Sequence, residues 1–359
     1  MTAHALPVID ADAHVIENES TWSFMQPAEE RFRPVAETVT RKGEPGRDYW
    51  VFDRIRELRN VSPDGATPVA TRELIDVAAR LAHMDELGIA VHVIYPTIML
   101  GGITNDALAE LALRRSYNRW LASRCEASQG RLRWVCLPPL HSMDQALAEL
   151  RFAKDNGACG VMKKADLETG RWLTDPYFFP LYAEAERLDL PICFHTGTGQ
   201  PENITPENWL NGRLLRMVQP VAAAVHSLVL FEIPAKFPKL RFGFVEAGAA
   251  WLPFVFGNLK RRAEKMTRDA VAYRDLAIAN DVMRANRIYV ACFVDEDLPY
   301  LIQHFGADNL MAGSDYGHGD SAKETSFDVL LRQRAARGDI SGEALDKILH
   351  HNPKTFYGL

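Results

Sequence analysis

The feature that most constrains this chain is an eightfold alternation of short β-rich runs with segments that have a helical pattern. Segments such as TRELIDVAARLAHMDELG and MDQALAELRFAKDNG separate the runs and carry apolar residues at helical spacing. Strands and helices that alternate eight times are typical of an α/β fold, the (β/α)8 TIM barrel, and we predict that fold. A doubly wound sheet is the alternative, but no run is followed by G-x-G-x-x-G. The runs are VIDADAH (8–14), VHVIYPT (91–97), RWVCLPPL (133–140), GVMKKA (160–165), PICFHTG (191–197), LRFGFVEAG (240–248), RIYVACF (287–293) and LMAGSDYGH (310–318).

A chain of 359 residues is within the range of one such barrel, which typically needs about 250 residues plus insertions. We therefore interpret residues 1–359 as a single TIM-barrel domain with an insertion at about 18–70, after the first strand. The insertion is rich in charged residues, proline and glycine. Long loops at this position usually cover an active site, and surface decoration is the alternative. A second excursion, at about 197–220, follows the fifth strand.

The composition argues against several classes of protein. Hydrophobic residues make up 47%, charged residues 25%, and the formal net charge is −6, as in globular proteins and unlike basic nucleic-acid-binding domains. The five cysteines are scattered without a C-x-x-C pair, which argues against a disulfide framework or a zinc knuckle. No window approaches the roughly 20 apolar residues of a membrane span, and the N-terminus lacks a signal-peptide pattern. We therefore expect a cytoplasmic protein that binds neither nucleic acid nor membranes.

Ionisable residues stand where the predicted strands end. The first run places Asp10, Asp12 and His14 at every second position, so that in a regular strand all three would share one face. We expect Asp10, one pleat deeper than the other two, to support the site from behind. In the fifth, sixth and eighth runs, every second residue is apolar or small until the series ends in His195, Glu246 or Asp315. Active sites of TIM barrels lie at the carboxyl ends of the strands. We therefore predict that six side chains converge there: Asp12, His14, His195, Glu246, Asp315 and His318.

This set of side chains points to a metal centre. Several carboxylates in one barrel mouth repel one another and lose hydration unless a cation lies among them. Imidazole and carboxylate donors without a nearby thiolate suit zinc, manganese or iron. We therefore predict a divalent metal centre with one or two ions per chain, and the choice among the three metals stays open.

The chain resembles the amidohydrolase-2 branch of the metal-dependent amidohydrolase superfamily, the group that includes aminocarboxymuconate-semialdehyde decarboxylase and γ-resorcylate decarboxylase. The resemblance rests on the order and spacing of DADAHVIE, RLAHMDELGIAVHVIYPT, CFHTGTG, FVEAGAAWLP, GSDYGH and HHNPKTFYGL. It implies metal ligands at Asp12, His14, His195 and Asp315, and a further role for Asp315 as a proton shuttle. It also implies a homo-oligomer, which we expect to be a dimer.

Glu246 departs from the pattern of this family, in which the sixth strand ends in a catalytic histidine. As a carboxylate, Glu246 is either a general base toward a metal-bound water or, with His318, a ligand of a second metal. Pairing with a nearby cation is the third alternative. An oxygen-rich binuclear site would favour iron or manganese. Lys163 and Lys164 on the fourth strand are interpreted as charge or packing residues rather than as a carbamylated bridge between metals.

Three functional readings follow. The first is a metal-dependent hydrolase or decarboxylase-like lyase of a small carboxylated or aromatic substrate, in which Glu246 or Asp315 moves the proton. The second is a binuclear non-haem iron oxygenase (a hydroxylase) on the amidohydrolase fold. The third is a barrel that binds a ligand without turning it over, and the converging carboxylates argue against it.

Overall fold

A computed structural model describes residues 6–40, 42–43, 45–52, 55–59, 65–195, 213–265, 281–319 and 321–359. The predicted excursion after the fifth strand therefore lies outside the described residues as far as residue 212. Eleven strands are present in the described parts of the chain: β1 (Val8–His14), β2 (Val35–Val39), β3 (Arg47–Phe52), β4 (Ile55–Leu58), β5 (Ile89–Tyr95), β6 (Leu132–Cys136), β7 (Ala158–Lys164), β8 (Ile192–His195), β9 (Phe242–Val245), β10 (Ile288–Ala291) and β11 (Leu310–Met311).

Helices separate the strands in the order that the sequence predicts. The α-helices span Val69–Arg72, Val77–Glu86, Ala107–Glu126, Met143–Asp155, Phe179–Arg187, Gln219–Leu230, Ile233–Lys236, Leu252–Lys265, Val282–Ala285, Leu298–Phe305, Phe327–Ala336, Gly342–Asp346 and Asn352–Tyr357. Shorter 3₁₀ helices span Glu19–Trp22, Pro27–Phe32, Ile98–Leu100 and Pro176–Phe178, and π-helical turns span Arg213–Val218 and Lys347–His351. No helix in the described ranges is long and apolar enough to cross a membrane.

Eight of the strands form one parallel sheet in the order β1-β5-β6-β7-β8-β9-β10-β11. The segment after β11 returns to β1, where Ala11 N donates to Ala312 O at 3.0 Å and His14 N donates to Tyr316 O at 2.9 Å. These contacts close the sheet on itself. The predicted (β/α)8 TIM barrel is therefore confirmed.

The C-terminal helix Asn352–Tyr357 closes the barrel interior beneath the strand ends. Gly243 on β9 has no room for a side chain because the ring of Phe356 occupies that space. Tyr357 donates to Ala11 O at 2.7 Å, and its hydroxyl lies 2.8 Å from that of Tyr95. A packed aromatic plug thus fills the lower barrel and leaves the carboxyl ends of the strands as the place for chemistry.

The insertion after the first strand is confirmed and contains a small antiparallel sheet, β2-β3-β4. Buried Trp22 holds this sheet, with ring centroids 5.8 Å from Trp50 and 5.7 Å from Phe52. The three aromatic side chains pack edge to face, which is a favoured geometry for such rings. The insertion is therefore an ordered part of the fold where it is described.

Candidate metal centre

The first strand is irregular at the point where its polar residues lie. Its register with β5 pairs Asp10 with His92 and Ala13 with Ile94, so three steps along β1 match two along β5. Paired residues of parallel strands share a face, and this irregularity places Asp10 on the face opposite to His14. The expectation that Asp10, Asp12 and His14 share one face is therefore wrong for Asp10.

Asp10 instead joins the first and last strands of the barrel from behind. Its carboxylate accepts hydrogen bonds from Ser314 N at 2.9 Å, from Ser314 Oγ and from Asp12 N at 3.1 Å. His92 Nε2 lies 3.3 Å from it, and Arg80 Nε donates to the other nitrogen of His92 at 3.1 Å. Burial raises the pKa of Asp10 to about 7, although the hydrogen bonds oppose this. Asp10 thus orients the segments that carry the predicted ligands.

Four of the predicted residues present donor atoms to one point in the barrel mouth. Asp12, His14, His195 and Glu246 are all buried. His195 Nε2 lies 3.2 Å from His14 Nε2, 3.4 Å from Asp12 Oδ1 and 3.2 Å from Glu246 Oε2. His14 Nε2 lies 3.5 Å from Asp12 Oδ1 and 3.7 Å from Glu246 Oε2. The structure therefore brings together strand ends that are far apart in the sequence.

These separations fit the donor atoms of one cation. Donors that each lie about 2.0–2.2 Å from a metal, at angles of about 90–110°, are roughly 2.8–3.6 Å from one another. The measured separations of 3.2–3.7 Å are close to that range. His14 Nδ1 donates to Pro96 O at 2.8 Å, so its Nε2 carries the lone pair that a metal needs.

The electrostatics keep these donors in the protonation state that binds a metal. Burial and the neighbouring imidazole of His318 lower the pKa of His14 to about 3, so this imidazole is neutral at pH 7. Burial alone would raise the pKa of Asp12, but the imidazoles of His195 and His14 outweigh burial and hold that pKa below its usual range. A neutral imidazole beside an ionised carboxylate is the form that ligates divalent ions.

Glu246 reaches the cluster by a route that strand alternation does not predict. His195 pairs with Val245, so Val245 and not Glu246 shares its face. Glu246 has a φ of 61°, in the left-handed region, and this turn carries its carboxylate back toward the barrel axis. The backbone that follows is held by Glu296, which accepts from Ala249 N and Ala250 N, each at 2.8 Å.

Asp315 lies beside this cluster and in close contact with His318. Its Oδ1 is 3.4 Å from His14 Nε2 and 2.7 Å from His318 Nδ1. The φ of 51° at Asp315 is also left-handed. His318 Nε2 lies 2.9 Å from Thr97 Oγ1, whose hydroxyl proton is donated to Val15 O at 2.9 Å. Both ring nitrogens of His318 are therefore engaged by other side chains.

The ring of His318 lies between Thr97 and Asp315. With the Thr97 hydroxyl donating to Val15 O, Thr97 Oγ1 is left to accept from His318 Nε2. A proton at the 2.7 Å contact between His318 Nδ1 and Asp315 Oδ1 would make this pair an acid. The Asp315–His318 pair is therefore a candidate acid beside the cluster.

His14 also belongs to a second group of possible ligands, with Glu246, Asp315 and His318. One lone pair binds one ion, so His14 Nε2 serves only one of the two groups. The first group has donor atoms whose separations fit a cation, whereas His318 in the second has both nitrogens engaged. The geometry thus makes the first group the candidate cation site, next to the Asp315–His318 pair.

Several residues that support the site were missed from the sequence. The sequence pattern does not single out Thr97, Ser314 and Glu296. Their side chains bind backbone groups or the side chains of other site residues, and a motif does not show such contacts. Glu17, three residues beyond β1, accepts from Ile98 N at 2.9 Å and Met99 N at 3.1 Å. It therefore holds the loop that carries Thr97. Thr97 lies two residues beyond β5, so inspection of residues just past each strand would have found it.

Comparisons with known proteins agree with this geometry. The model of the amidohydrolase family matches residues 9–359. The 2-amino-3-carboxymuconate-6-semialdehyde decarboxylase of Dictyostelium discoideum is 25% identical over 187 residues, which cover 50% of this chain and 49% of the relative. The γ-resorcylate decarboxylase of Rhizobium sp. is 24% identical over 233 residues, which cover 61% and 64%. The matches thus span about half to just under two thirds of these curated relatives.

One solved structure is a mutant of 5-carboxyvanillate decarboxylase from Novosphingobium aromaticivorans with bound manganese and 3-methoxy-4-hydroxy-5-nitrobenzoic acid. Its TM-score is 0.71 at 16% identity, and the match covers 98% of this chain and 97% of that one. At this identity the likeness concerns the fold.

Proposed function

This chain belongs to the amidohydrolase family, and from that premise we propose that it is a metal-dependent decarboxylase of small aromatic or unsaturated carboxylic acids. The observation that carries the proposal is the buried cluster of Asp12, His14, His195 and Glu246 beside the Asp315–His318 pair. The decarboxylases among its relatives support this reaction class. The binuclear iron oxygenase receives no support from the comparisons.

The residues of the cluster would hold a divalent cation, with Asp12, His14, His195 and Glu246 as its ligands. When bound, such a cation supplies positive charge that polarises oxygen atoms of a substrate. In this assignment Asp315 is the catalytic acid rather than a required ligand. His318 is a positioning residue that keeps the transferable proton on the pair, and Thr97 fixes the ring of His318.

The reaction needs one proton and releases carbon dioxide. Asp315 would give its proton to the substrate carbon that bears the carboxylate, and a new C–H bond forms there. The bond between that carbon and the carboxylate then breaks, its electron pair returns to the substrate carbon framework, and carbon dioxide leaves. The proton on the Asp315–His318 pair is later replaced from solvent. The burial of Asp315 and His318 keeps competing water away from this proton.

A decarboxylation assay in heavy water tests the proposal. Metal-loaded protein is incubated with 2,6-dihydroxybenzoate, 5-carboxyvanillate and related acids, and we expect carbon dioxide and a product with one deuterium at the vacated carbon. Asp315→Asn keeps the shape but loses the acid, so we expect a loss of at least about 100-fold in kcat with metal content unchanged. Asp144→Asn, at an exposed helix terminus, is the control. A hydrolytic product, or full activity of Asp315→Asn, would overturn the proposal.

A further inference from the structure

The two lysines at the end of β7 have opposite environments. Lys163 is fully buried, pairs with Glu168 at 2.7 Å and lies over the ring of Phe178 at 3.8 Å. Lys164 pairs in register with His195 and so lies on the face of the sheet that carries the ligand cluster. Lys163 is thus a packed ion pair, whereas Lys164 faces the barrel mouth.

A cavity of about 330 Å³ lies next to Lys164, a volume within the lower range of pockets that hold small organic ligands. Its wall includes Gly102, and a side chain there would come within 3.0 Å of Lys164 Nζ. Glycine at position 102 thus leaves open the space in front of the ammonium group. The remaining wall includes Arg114, His141, Glu110 and Glu168.

The acidic groups of this cavity already have cationic partners. Glu110 contacts Arg114 Nη2 at 3.1 Å and His141 Nδ1 at 2.7 Å, and Glu168 contacts Lys163. Within the part of the chain that the structure describes, no carboxylate oxygen lies within 4.0 Å of Lys164 Nζ. Arg114 and Lys164 thus line the cavity together with two carboxylates, and neither carboxylate contacts the ammonium group of Lys164.

The carboxylates that influence Lys164 from further away are Glu168, Asp166 and Glu57. Burial, the largest influence, lowers the pKa of Lys164, and these carboxylates only partly restore it. A half-buried ammonium group that lacks a close counter-ion is stabilised by an anionic ligand. Lys164 lies beside His195 in the register of β7 with β8, whereas none of the residues of the ligand cluster lines this cavity.

We propose that Lys164 binds an anionic group of the substrate that is remote from the metal, so that the preferred substrates are small acids with two anionic groups. This inference rests on the proposed function, because the other anionic group of the substrate would face the cation. Gly102 provides the space for the remote group, and Lys164 supplies its counter-charge. The residue is therefore a determinant of specificity and not of the chemical step.

Competition binding to the manganese-loaded protein tests this inference. The probes are benzoate, with one carboxylate, and isophthalate and terephthalate, with two carboxylates at different spacings. We expect the better of the two dicarboxylates to bind wild-type protein at least about tenfold more tightly than benzoate, since its second carboxylate would accept a charge-assisted hydrogen bond from Lys164. Lys164→Met should remove this preference and leave benzoate binding unchanged, and Lys164→Arg should retain part of it. Lys154→Met, at an exposed position, is the matched control.

The outcomes separate this inference from the proposed function. An unchanged preference in Lys164→Met, or no preference in the wild-type protein, overturns the role of Lys164 even if benzoate binding depends on the metal. Binding of both acids that does not change when the metal is removed counts against the proposed function instead. Inorganic phosphate is tested as a competitor of the same probes. If phosphate competes in wild-type protein but not in Lys164→Met, and dicarboxylates are not preferred, the cavity binds a free anion and the role of Lys164 in substrate binding is overturned.

Discussion

At the scale of single residues, the site depends on which atom of each side chain is already engaged. The sequence identified His318 as a candidate metal ligand because of its distance from Asp315, and that role stays a prediction. The ring of His318 is engaged by Asp315 on one side and Thr97 on the other. No pattern of residue types could predict this, because it depends on a loop after β5 that meets a loop after β11. In the proposed function, His318 instead positions the proton of Asp315.

Replacement of Thr97 by valine tests this assignment. Valine cannot accept a hydrogen bond from His318 Nε2, so we expect that nitrogen to lose its proton. The pair then keeps one proton, on Nδ1 of a neutral imidazole, and a neutral imidazole is a poor acid. We expect kcat to fall at least about tenfold, with metal content unchanged. Thr97→Ser keeps the acceptor and should keep most of the activity. Equal kcat values for Thr97→Val and wild-type protein in the decarboxylation assay would contradict the role of His318.

At the scale of elements, the sequence predicted the strands better than the direction of their side chains. Alternation along β1 predicts that Asp10 shares the face of His14, but the irregular register of β1 places Asp10 on the opposite face. Alternation along β9 does not place Glu246 on the face of His195, and a left-handed φ at Glu246 turns its carboxylate toward the cluster. The predicted runs also extended past the strands: the last run covers 310–318, whereas β11 ends at Met311. Beyond that point the chain turns so that Ser314 and Asp315 reach β1. This turn is required to close the barrel, and the local sequence pattern does not predict it.

Gly313 tests the importance of this closure. A Cβ at position 313 would lie 2.9 Å from Asp12 N and 3.1 Å from Asp12 Cα, so alanine must push β1 away from the end of β11. We expect Gly313→Ala to lower the free energy of unfolding by about 1–3 kcal/mol and to weaken metal binding through displacement of Asp12. Denaturant unfolding with and without metal measures both effects.

Gly257 is the matched control for this prediction. It lies in the helix Leu252–Lys265, and a Cβ there would have no atom within 4 Å. Gly257→Ala should therefore raise the free energy of unfolding by about 0.4–1 kcal/mol and leave metal binding unchanged. A Gly313→Ala variant that is as stable as Gly257→Ala would show that the approach of β11 to β1 does not limit the site.

At the scale of the whole molecule, the eightfold alternation was sufficient to predict the barrel and its insertion. Each β-rich run forms a buried strand, and each intervening segment forms a helix with one apolar face. Few folds bury eight strands and eight such helices in strict alternation. The single domain at 1–359, the homodimer and the cytoplasmic location stay predictions. Sequence could not choose between one and two metal ions, because both choices use the same residues. Among the described residues, the orientation of His14 and the contacts of His318 are the observations on which the proposal of one ion rests.

The central claim is a single cation held by Asp12, His14, His195 and Glu246, and metal analysis of protein purified without chelator tests it most directly. We predict about one divalent ion per chain in the wild-type protein and in His318→Ala, and a loss of most of this metal in His195→Ala, since one of four ligands is removed. Two ions per chain that fall to one in His318→Ala would contradict the claim and restore the binuclear site. Full metal occupancy in His195→Ala would contradict the site itself.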